Sequence, residues 1–313
     1  MKNTEVSLCL RSPCNYSCEY CIGERIQSPV VEHDLSRLSK IYQSIGAFIF
    51  TVFECKAGEP TVHPQLKDIL TICKDYGTIS MPTNNSIKPN KWLPKSCAKS
   101  MLLNITLHPQ AEEEIDGFTD RLTEIKEMGS EIHLRYIARP DRIKRLLALV
   151  EYFNKKGFKI QGVPFNGIYE GKHYPDSYSK YEKLEMGLDE RSYWYSRLEI
   201  DMKIRNFKGI PCLAGYSLFN IGPSTTLRKC LYDLEPLDSP RTEAQPCRVT
   251  SCGCGCYLKE LNVFTPSYWN YVRGLSGYTL MDADNRTNDQ LYQEAHRIYW
   301  DLMGRYNKTP ENT

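Results

Sequence analysis

Two features that place a chain in or across a membrane are missing from this sequence. No apolar run approaches the ~20 residues that a membrane-spanning helix needs, and the opening residues, Met1 to Glu5, carry neither the basic nor the apolar part of a secretory signal. We therefore expect a cytoplasmic protein with no membrane partner.

An excess of charge of either sign is missing as well. The 313 residues contain 40 Lys and Arg against 38 Asp and Glu, which gives a net charge of +2. This balance creates no long-range field that would attract nucleic acid, so we expect no nucleic-acid partner. Internal repeats and low-complexity linkers are also absent, and the length suits one large domain with a small one appended.

Cysteine, in contrast, is abundant. The sequence has 13 cysteines, an odd number, and they concentrate in two stretches rather than in spaced pairs. In a reducing compartment this distribution favours metal ligation over disulfide bonds.

The first cysteine stretch is a C-x-x-x-C-x-x-C run formed by Cys14, Cys18 and Cys21, directly after an apolar segment at residues 6–10. Three thiolates on one loop can hold three irons of a [4Fe–4S] cube. Because such clusters are ordinarily held by four cysteines, the fourth iron would be open to a small molecule, as in a catalytic zinc site. The alternatives are a zinc knuckle, although zinc favours paired C-x-x-C units, or scattered buried thiols.

Short apolar runs alternate with amphipathic stretches through the first two-thirds of the chain. The predicted strands are residues 6–10, 47–53, 78–81, 102–107, 131–138 and 158–163, and the predicted helices are residues 34–45, 64–76, 90–98, 112–128 and 140–156. Six βα units in a row predict an α/β fold, a partial (βα)6 TIM-type barrel with its chemistry at the carboxyl ends of the parallel strands. The cysteine loop follows the first strand and therefore lies at that end.

A second motif, Ala57-Gly58-Glu59-Pro60, directly follows the second predicted strand. Small residues let the backbone approach a ligand closely. The cysteine run and this segment, in register after adjacent strands, resemble the cluster loop and the G-G-E-P segment of the radical S-adenosylmethionine (radical SAM) superfamily. Ala57 stands where that family has its first glycine.

The resemblance implies further cofactor-binding residues. Thr83-Asn84-Asn85 is similar to the T-N-G segment of this family. The asparagine of that segment, which corresponds to Asn84, lies near the cofactor ribose. Thr106, His108 and Arg135 fall where the family places polar groups for the ribose and the methionine carboxylate, and Tyr20 matches the aromatic residue beside the adenine. His108 can equally be a structural histidine at a strand end, and we interpret His63 as a turn residue.

The second cysteine stretch begins at Cys212 and continues through Cys230, Cys247, Cys252, Cys254 and Cys256, with a β-hairpin predicted between residues 216 and 230. It resembles the SPASM and twitch extensions of radical SAM enzymes, in which four cysteines bind an auxiliary [4Fe–4S] cluster. Thr225 replaces an expected glycine and the final run is unusually tight, so we expect one auxiliary cluster. The predicted ligands are Cys212, Cys230, Cys247 and Cys252. A structural zinc site or a disordered Cys-Gly tail is the alternative.

The predicted domains are the barrel at residues 1–200, a small cysteine-rich C-terminal auxiliary-cluster domain at 205–265 and a C-terminal helix at 284–306. A glycine- and tyrosine-rich stretch at 167–175 is interpreted either as a substrate loop or as packing, and residues 178–186 are predicted to be helical.

The resemblance implies that the protein cleaves S-adenosylmethionine reductively and that the resulting 5′-deoxyadenosyl radical removes hydrogen from an unactivated carbon, with flavodoxin or ferredoxin as electron donor. The short stretch before Cys14 leaves no room for a peptide-recognition domain, which favours a carbohydrate-like or other small polar substrate, oxidised or epimerised. In an epimerase, the surplus Cys254 or Cys256 would return the hydrogen. The alternatives are a maturase acting on a ribosomally made peptide or protein side chain, a non-catalytic iron–sulfur redox protein and a zinc-binding interaction module.

Overall fold

A single eight-stranded sheet organises the computed structural model. The structure describes residues 4–18, 20–21, 29–54, 58–165, 167–179, 181–182, 211–212, 214–230, 235–243, 245–246 and 248. The first six strands are parallel and lie side by side in chain order. They are β1 (Thr4–Cys9), β2 (Ile49–Glu54), β3 (Gly77–Thr83), β4 (Met101–Leu107), β5 (Glu131–Ala138) and β6 (Ile160–Pro164). This arrangement confirms the predicted partial barrel.

Helices connect most of these strands, as the hydrophobic periodicity predicts. They are α1 (Leu35–Ile45), α2 (Leu66–Lys74), the single turn α3 (Pro109–Glu112), α4 (Ile115–Glu127) and α5 (Ile143–Lys155). Asp34 caps α1, since its side chain accepts a hydrogen bond from the Arg37 backbone N–H at 2.9 Å. The remaining boundaries differ from the predicted ones by a few residues, the uncertainty expected at helix ends.

The helix predicted at residues 90–98 is wrong. The chain between β3 and β4 instead forms two short 3₁₀ turns, Pro89–Lys91 and Ala98–Ser100. Pro94 lies between them, and proline lacks a backbone donor and disfavours helical geometry in the preceding residue. Trp92 and Leu93 are buried, so the apolar signal came from core residues of a turn.

The core fills the space between the sheet and the helices. Alternate strand residues point into it, such as Ile79 and Met81 on β3 and Leu103 and Ile105 on β4, all fully buried. The intervening residues face the other side of the sheet and are largely polar. The sheet therefore has an apolar face under the helices and a polar face opposite them.

The predicted hairpin between residues 216 and 230 is present, as β10 (Leu218–Ile221) and β11 (Leu227–Arg228). Its first strand adds to the barrel sheet, parallel to β1, so that Ser7 lies opposite Asn220. The sheet order is therefore β11-β10-β1-β2-β3-β4-β5-β6. The hairpin and the barrel share one continuous sheet, which the sequence did not predict.

The tyrosine-rich stretch after β6 forms a small separate hairpin of β7 (Gly167–Tyr169) and β8 (Lys172–Tyr174). Tyr174 and Tyr178 are buried with ring centroids 4.7 Å apart. The Tyr178 hydroxyl donates to the Ala138 carbonyl oxygen at 2.5 Å and accepts from the Phe165 N–H at 2.8 Å. These two tyrosines are packing residues, as one of the two interpretations expected.

Two further strands, β9 (Pro211–Cys212) and β12 (Gln245–Pro246), pair antiparallel. Most of the predicted helix at 178–186 and all of the helix at 284–306 lie outside the described residues. Among the described residues, no helix is both long and apolar enough to cross a bilayer.

Candidate functional site

The loops that follow β1 and β2 are locked together at the carboxyl end of the sheet. The Glu59 N–H donates to the Pro13 carbonyl oxygen at 3.1 Å, and the Ser12 hydroxyl donates to the Glu59 carbonyl oxygen at 2.8 Å. Gly58 has φ +138°, and a Cβ at this position would lie 2.0 Å from the Ser12 carbonyl oxygen. Only glycine permits this contact.

Glu59 joins the end of β2 to the end of β3. Its carboxyl group is buried and accepts four hydrogen bonds, one of them from the Thr83 hydroxyl at 2.7 Å and one from the Asn84 N–H at 2.7 Å. The Thr61 N–H and hydroxyl supply the other two, at 3.1 and 2.6 Å. Burial raises the pKa of Glu59, and the hydrogen bonds act in the opposite direction. Because all four hydrogen bonds come from protein groups, the Glu59 carboxyl group holds the end of β2 against the end of β3.

Asn84 holds the cysteine loop from the side of β3. Its side-chain N–H donates to Asn15 Oδ1 at 2.9 Å, and Asn15 in turn donates to Ser86 Oγ at 2.8 Å. Ser86 closes the ring by donating its hydroxyl to Asn84 Oδ1 at 2.6 Å. Since Asn15 directly follows Cys14, this ring fixes the start of the cysteine loop.

Asn85 stands where the T-N-G pattern has its glycine. It has φ +53°, a left-handed conformation that asparagine tolerates better than most residues. Its backbone oxygen accepts from Arg121 Nε at 2.7 Å.

The three loop cysteines differ in exposure. Cys18 is buried, whereas Cys14 and Cys21 are exposed, and a turn connects the Cys21 N–H to the Cys18 carbonyl oxygen at 3.2 Å. Burial raises the pKa of both Cys14 and Cys18, and charge on neighbouring loop thiolates raises it further. The three sulfurs therefore lie within electrostatic range of one another, and a bound cation would relieve their repulsion.

Within the described part of the chain, no three His, Cys, Asp or Glu side chains converge on a single-ion site. A cube requires no such convergence, because each cysteine would bind a different iron. The residues present fit the cluster: three thiols on one loop, tied down at Asn15 and at Pro13 and leaving Cys14 and Cys21 open.

His108 lies beside the buried cysteine. His108 Nδ1 is 3.2 Å from Cys18 Sγ and 2.9 Å from the Tyr20 hydroxyl oxygen. The rings of Tyr20 and His108 are nearly parallel, and Tyr16 meets His108 edge-on with ring centroids 5.6 Å apart. Burial lowers the pKa of His108 to about 4, so the ring is neutral at pH 7. Tyr20 and His108 are thus both brought to the cysteine loop.

Thr106 and Arg135 lie opposite each other on β4 and β5. Arg135 Nη2 donates to Asn104 Oδ1 at 2.6 Å, and Asn104 donates to Ser80 Oγ at 2.9 Å. A polar row therefore crosses three strands on the face opposite the helices. The predicted contacts of Thr106, His108 and Arg135 with the cofactor stay predictions.

Thr225 stands where the pattern of the second cysteine stretch has a glycine, and it has φ +55° in the turn between β10 and β11. Its buried hydroxyl accepts from the Asp34 N–H at 2.9 Å and lies 3.1 Å from His33 Nδ1. His33 Nε2 is 3.2 Å from the Cys9 carbonyl oxygen, so Nε2 carries the proton and Nδ1 accepts from Thr225. These bonds fasten the hairpin to the chain on both sides of the cysteine loop.

Of the second cysteine stretch, Cys212 and Cys230 are described. Cys212 is buried on β9 opposite Gln245, and Cys230 follows β11 by two residues. Cys247, Cys252, Cys254 and Cys256 lie outside the described residues, as does Ala57. The eight described cysteines form no disulfide bond.

Similarity to known proteins is confined to distant relatives. No protein-family model matches the chain. A curated relative, a probable GTP 3′,8-cyclase of Thermoplasma volcanium, is 24% identical over 196 residues, which cover 58% of this chain and 58% of the relative. The chain thus spans a little over half of that relative.

Two solved structures are similar to this chain at a low level. Streptococcus suis SuiB bound to S-adenosylmethionine is 11% identical with a TM-score of 0.48, over 78% of this chain and 63% of SuiB. The protein anSMEcpe, with bound S-adenosylmethionine and a peptide, is 13% identical with a TM-score of 0.47, over 97% of this chain and 99% of that one.

Several residues that build the candidate site were missed by sequence reasoning. They are Ser12, Asn15, Ser86, Thr61 and His33. Thr61 bonds Glu59 within its own loop, whereas the other four act through hydrogen bonds that join separate segments of the chain. Asn15 could have been predicted from the sequence, because an asparagine inside the cysteine run can hydrogen-bond a residue at the end of a neighbouring strand. Ser12, Ser86 and Thr61 are residue types common in turns, and His33 carried no comparable signal.

Proposed function

We propose that this chain cleaves S-adenosylmethionine reductively and uses the product to take hydrogen from a small polar substrate, leading to its oxidation or epimerisation. The observation that carries the proposal is the direct fastening of the cysteine loop to Gly58 and Glu59 across adjacent parallel strands. A redox protein with a cluster alone has no need of a second loop at this position.

In this proposal Cys14, Cys18 and Cys21 hold three irons, and the backbone at Gly58 approaches the amino group of the bound cofactor. When bound, the cluster and S-adenosylmethionine supply a 5′-deoxyadenosyl radical, with the electron coming from a flavodoxin or ferredoxin. The protein contributes placement and exclusion of water. Glu59 and Asn84 act by holding the loops, since their side chains are engaged with protein groups.

The polar face of the sheet supports a small polar substrate. Ser80, Asn104 and Arg135 form a hydrogen-bonded row there. His133 and Gln161 lie on the same face, and their Nδ1 and Oε1 atoms are buried without a hydrogen-bond partner among the described residues. Hydroxyl or amino groups of a substrate would satisfy such atoms. A substrate held here presents one hydrogen to the radical, so positioning sets the specificity.

A ribosomally made peptide is the second candidate substrate. SuiB has been solved with its precursor peptide SuiA, and anSMEcpe with the Cp18Cys peptide. In either case we propose that Cys212, Cys230, Cys247 and Cys252 bind one auxiliary [4Fe–4S] cluster. Cys254 or Cys256 would return hydrogen in an epimerisation.

The test is the iron and sulfide content of anaerobically reconstituted protein, together with 5′-deoxyadenosine formation after dithionite reduction. We expect about eight irons in the parent and about four in a Cys14/Cys18/Cys21→Ala variant, with cleavage in the parent alone. Cys97→Ala is the matched control, because Cys97 is fully buried and distant from the loop in sequence. It should keep both the iron and the cleavage.

Zinc in place of iron, or cleavage that survives in the triple variant, would overturn the proposal. Iron binding without any cleavage would favour the redox-protein alternative. Incubation of the parent with candidate sugars and peptides, with incorporation of substrate deuterium into 5′-deoxyadenosine as the readout, then separates the two substrate classes.

A further inference from the structure

Cys18 differs from the other two loop cysteines in its hydrogen-bonding environment. His108 Nδ1 lies 3.2 Å from Cys18 Sγ and 2.9 Å from the Tyr20 hydroxyl oxygen, and the side chains of Tyr20 and Gln110 lie near the Cys18 sulfur. In contrast, Cys14 Sγ accepts from the Tyr16 backbone N–H at 3.5 Å. Among the described residues, no side-chain hydrogen bond to Cys14 or Cys21 is observed.

Each of these three side chains can donate a hydrogen bond to the Cys18 sulfur when the cysteine binds iron. A ligating cysteine is a thiolate, which can only accept hydrogen bonds. The Tyr20 hydroxyl and the Gln110 amide each carry a proton that can point at the sulfur. His108 Nδ1 lies within hydrogen-bond distance of Cys18 Sγ, and because a thiolate has no proton to donate, this nitrogen carries the proton when Cys18 binds iron.

We propose that His108, Tyr20 and Gln110 form a donor set that hydrogen-bonds the Cys18 thiolate and raises the reduction potential of the cluster. The proposal rests on the proposed function, since it requires the first cluster to be bound. Hydrogen bonds to cluster sulfurs withdraw electron density and stabilise the reduced state. His108 and Gln110 are thereby assigned as positioning residues that tune the cluster.

The test compares two substitutions of similar size at His108. Asn places an amide N–H near the position of the histidine Nδ1, whereas Leu fills similar space without a donor. Midpoint potentials of the reconstituted cluster are measured by redox titration with EPR detection of the reduced state. The titrations omit S-adenosylmethionine, so that a change in its placement has no influence.

We expect His108→Leu to lower the ratio of reduced to oxidised cluster at a fixed poise about tenfold, equivalent to about 59 mV for a one-electron couple. Tyr20→Phe should shift the potential in the same direction, and His108→Asn should stay close to the parent. Tyr16→Phe is the control, since Tyr16 contacts the His108 ring edge-on but offers the sulfur no side-chain donor.

Equal potentials in the parent, His108→Leu and Tyr20→Phe would overturn this inference while leaving the proposed function intact. Equal shifts of the midpoint potential in His108→Asn and His108→Leu would also overturn the inference. The potential would then be set by burial of the cluster and not by a hydrogen-bond donor at residue 108. If His108→Leu does not load iron, Tyr20→Phe and Gln110→Leu decide by the same measurement. A parent that binds no cluster instead contradicts the proposed function.

Discussion

At the scale of single residues, Gly58 and Glu59 perform complementary tasks. Gly58 has no side chain, which allows the two loops to come into van der Waals contact at Ser12. Glu59 has a long polar one, which reaches across to Thr83 and Asn84. One residue allows the contact and the next one fixes its position.

This division predicts the effect of Gly58→Ala. A Cβ would lie 2.0 Å from the Ser12 backbone oxygen, so the two loops must separate and the Glu59–Pro13 hydrogen bond must weaken. We expect a loss of at least about 3 kcal/mol in the free energy of unfolding, together with reduced iron content after reconstitution. Chemical denaturation and iron analysis check both.

Gly171→Ala is the control for that experiment. Gly171 also has a positive φ, +74°, but a Cβ added there would meet no atom of the described residues within 4 Å beyond its chain neighbours. The substitution therefore measures the backbone strain alone, about 1 kcal/mol. If Gly58→Ala costs no more than Gly171→Ala, the close contact has no energetic role.

At the scale of elements, β1 is the strand to which the others are anchored. It pairs with β2 on one side and with β10, more than two hundred residues later in the chain, on the other. Thr225 in the β10–β11 turn reaches back to His33 and Asp34 at the start of α1. The hairpin therefore braces the segment on both sides of the cysteine loop.

Thr225→Val tests this brace. Valine keeps the branched shape but removes the hydroxyl, which leaves the Asp34 N–H and His33 Nδ1 without their partner. Because an unsatisfied buried polar group costs about 1–3 kcal/mol, we expect unfolding to become easier by about 3 kcal/mol. Thr226→Val, at the next position, should change it by less than about 1 kcal/mol, since the Thr226 hydroxyl bonds the exposed Ser224 hydroxyl. The comparison is valid if the free energy of unfolding falls with denaturant concentration at the same slope in both variants and the parent, because equal slopes mean that the same surface is exposed on unfolding.

The parts of the fold that could be predicted are those that leave a pattern in residue type or hydrophobic periodicity. The strands and helices of the barrel show in the hydrophobic periodicity, and the cysteine run and Gly58-Glu59-Pro60 show in residue type and spacing. The helix predicted at 90–98 is wrong because the apolar residues Trp92 and Leu93 are buried in a turn around Pro94 and were read as the apolar face of a helix. The pairing of β10 with β1 depends on backbone hydrogen bonds, which leave no mark on side-chain identity.

The residues of the candidate site likewise fall into a predictable group and an unpredictable group. Residues that would contact the cofactor follow a pattern that can be matched, whereas Ser12, Asn15 and Ser86 contribute through a geometry that exists only after folding. Thr225 and Asn85 read in the sequence as departures from a family glycine. Each has a left-handed backbone and makes a side-chain hydrogen bond that glycine could not make.

At the scale of the whole molecule, four histidines are largely withdrawn from water and uncharged. Burial lowers the pKa of His33 and His108 to about 4 and also lowers that of His63 and His133. In the unfolded chain each would have a pKa of about 6.5. Between these values the unfolded state binds more protons than the folded state, so stability falls as the pH is lowered.

The stability contributed by uncharged His33 and His108 is therefore complete above pH ~6.5 and is lost as the pH falls toward 4. Each of these two histidines contributes a slope of about 1.4 kcal/mol per pH unit near the middle of this window. His33→Gln should reduce the slope of unfolding free energy against pH by about that amount. The comparison is made in the Cys14/Cys18/Cys21→Ala background, so that acid loss of a cluster does not contribute.

His173→Gln provides the matched substitution, because His173 is exposed on the β7–β8 hairpin and engages none of these buried contacts. It should leave the slope between pH 6.5 and 4 as it is in the parent. A His33→Gln protein with the parental slope would mean that His33 is already protonated in the folded state. Nδ1–H would then donate to the Thr225 hydroxyl oxygen, which also accepts from the Asp34 N–H, so the hydrogen bond between His33 and Thr225 would run in the opposite direction.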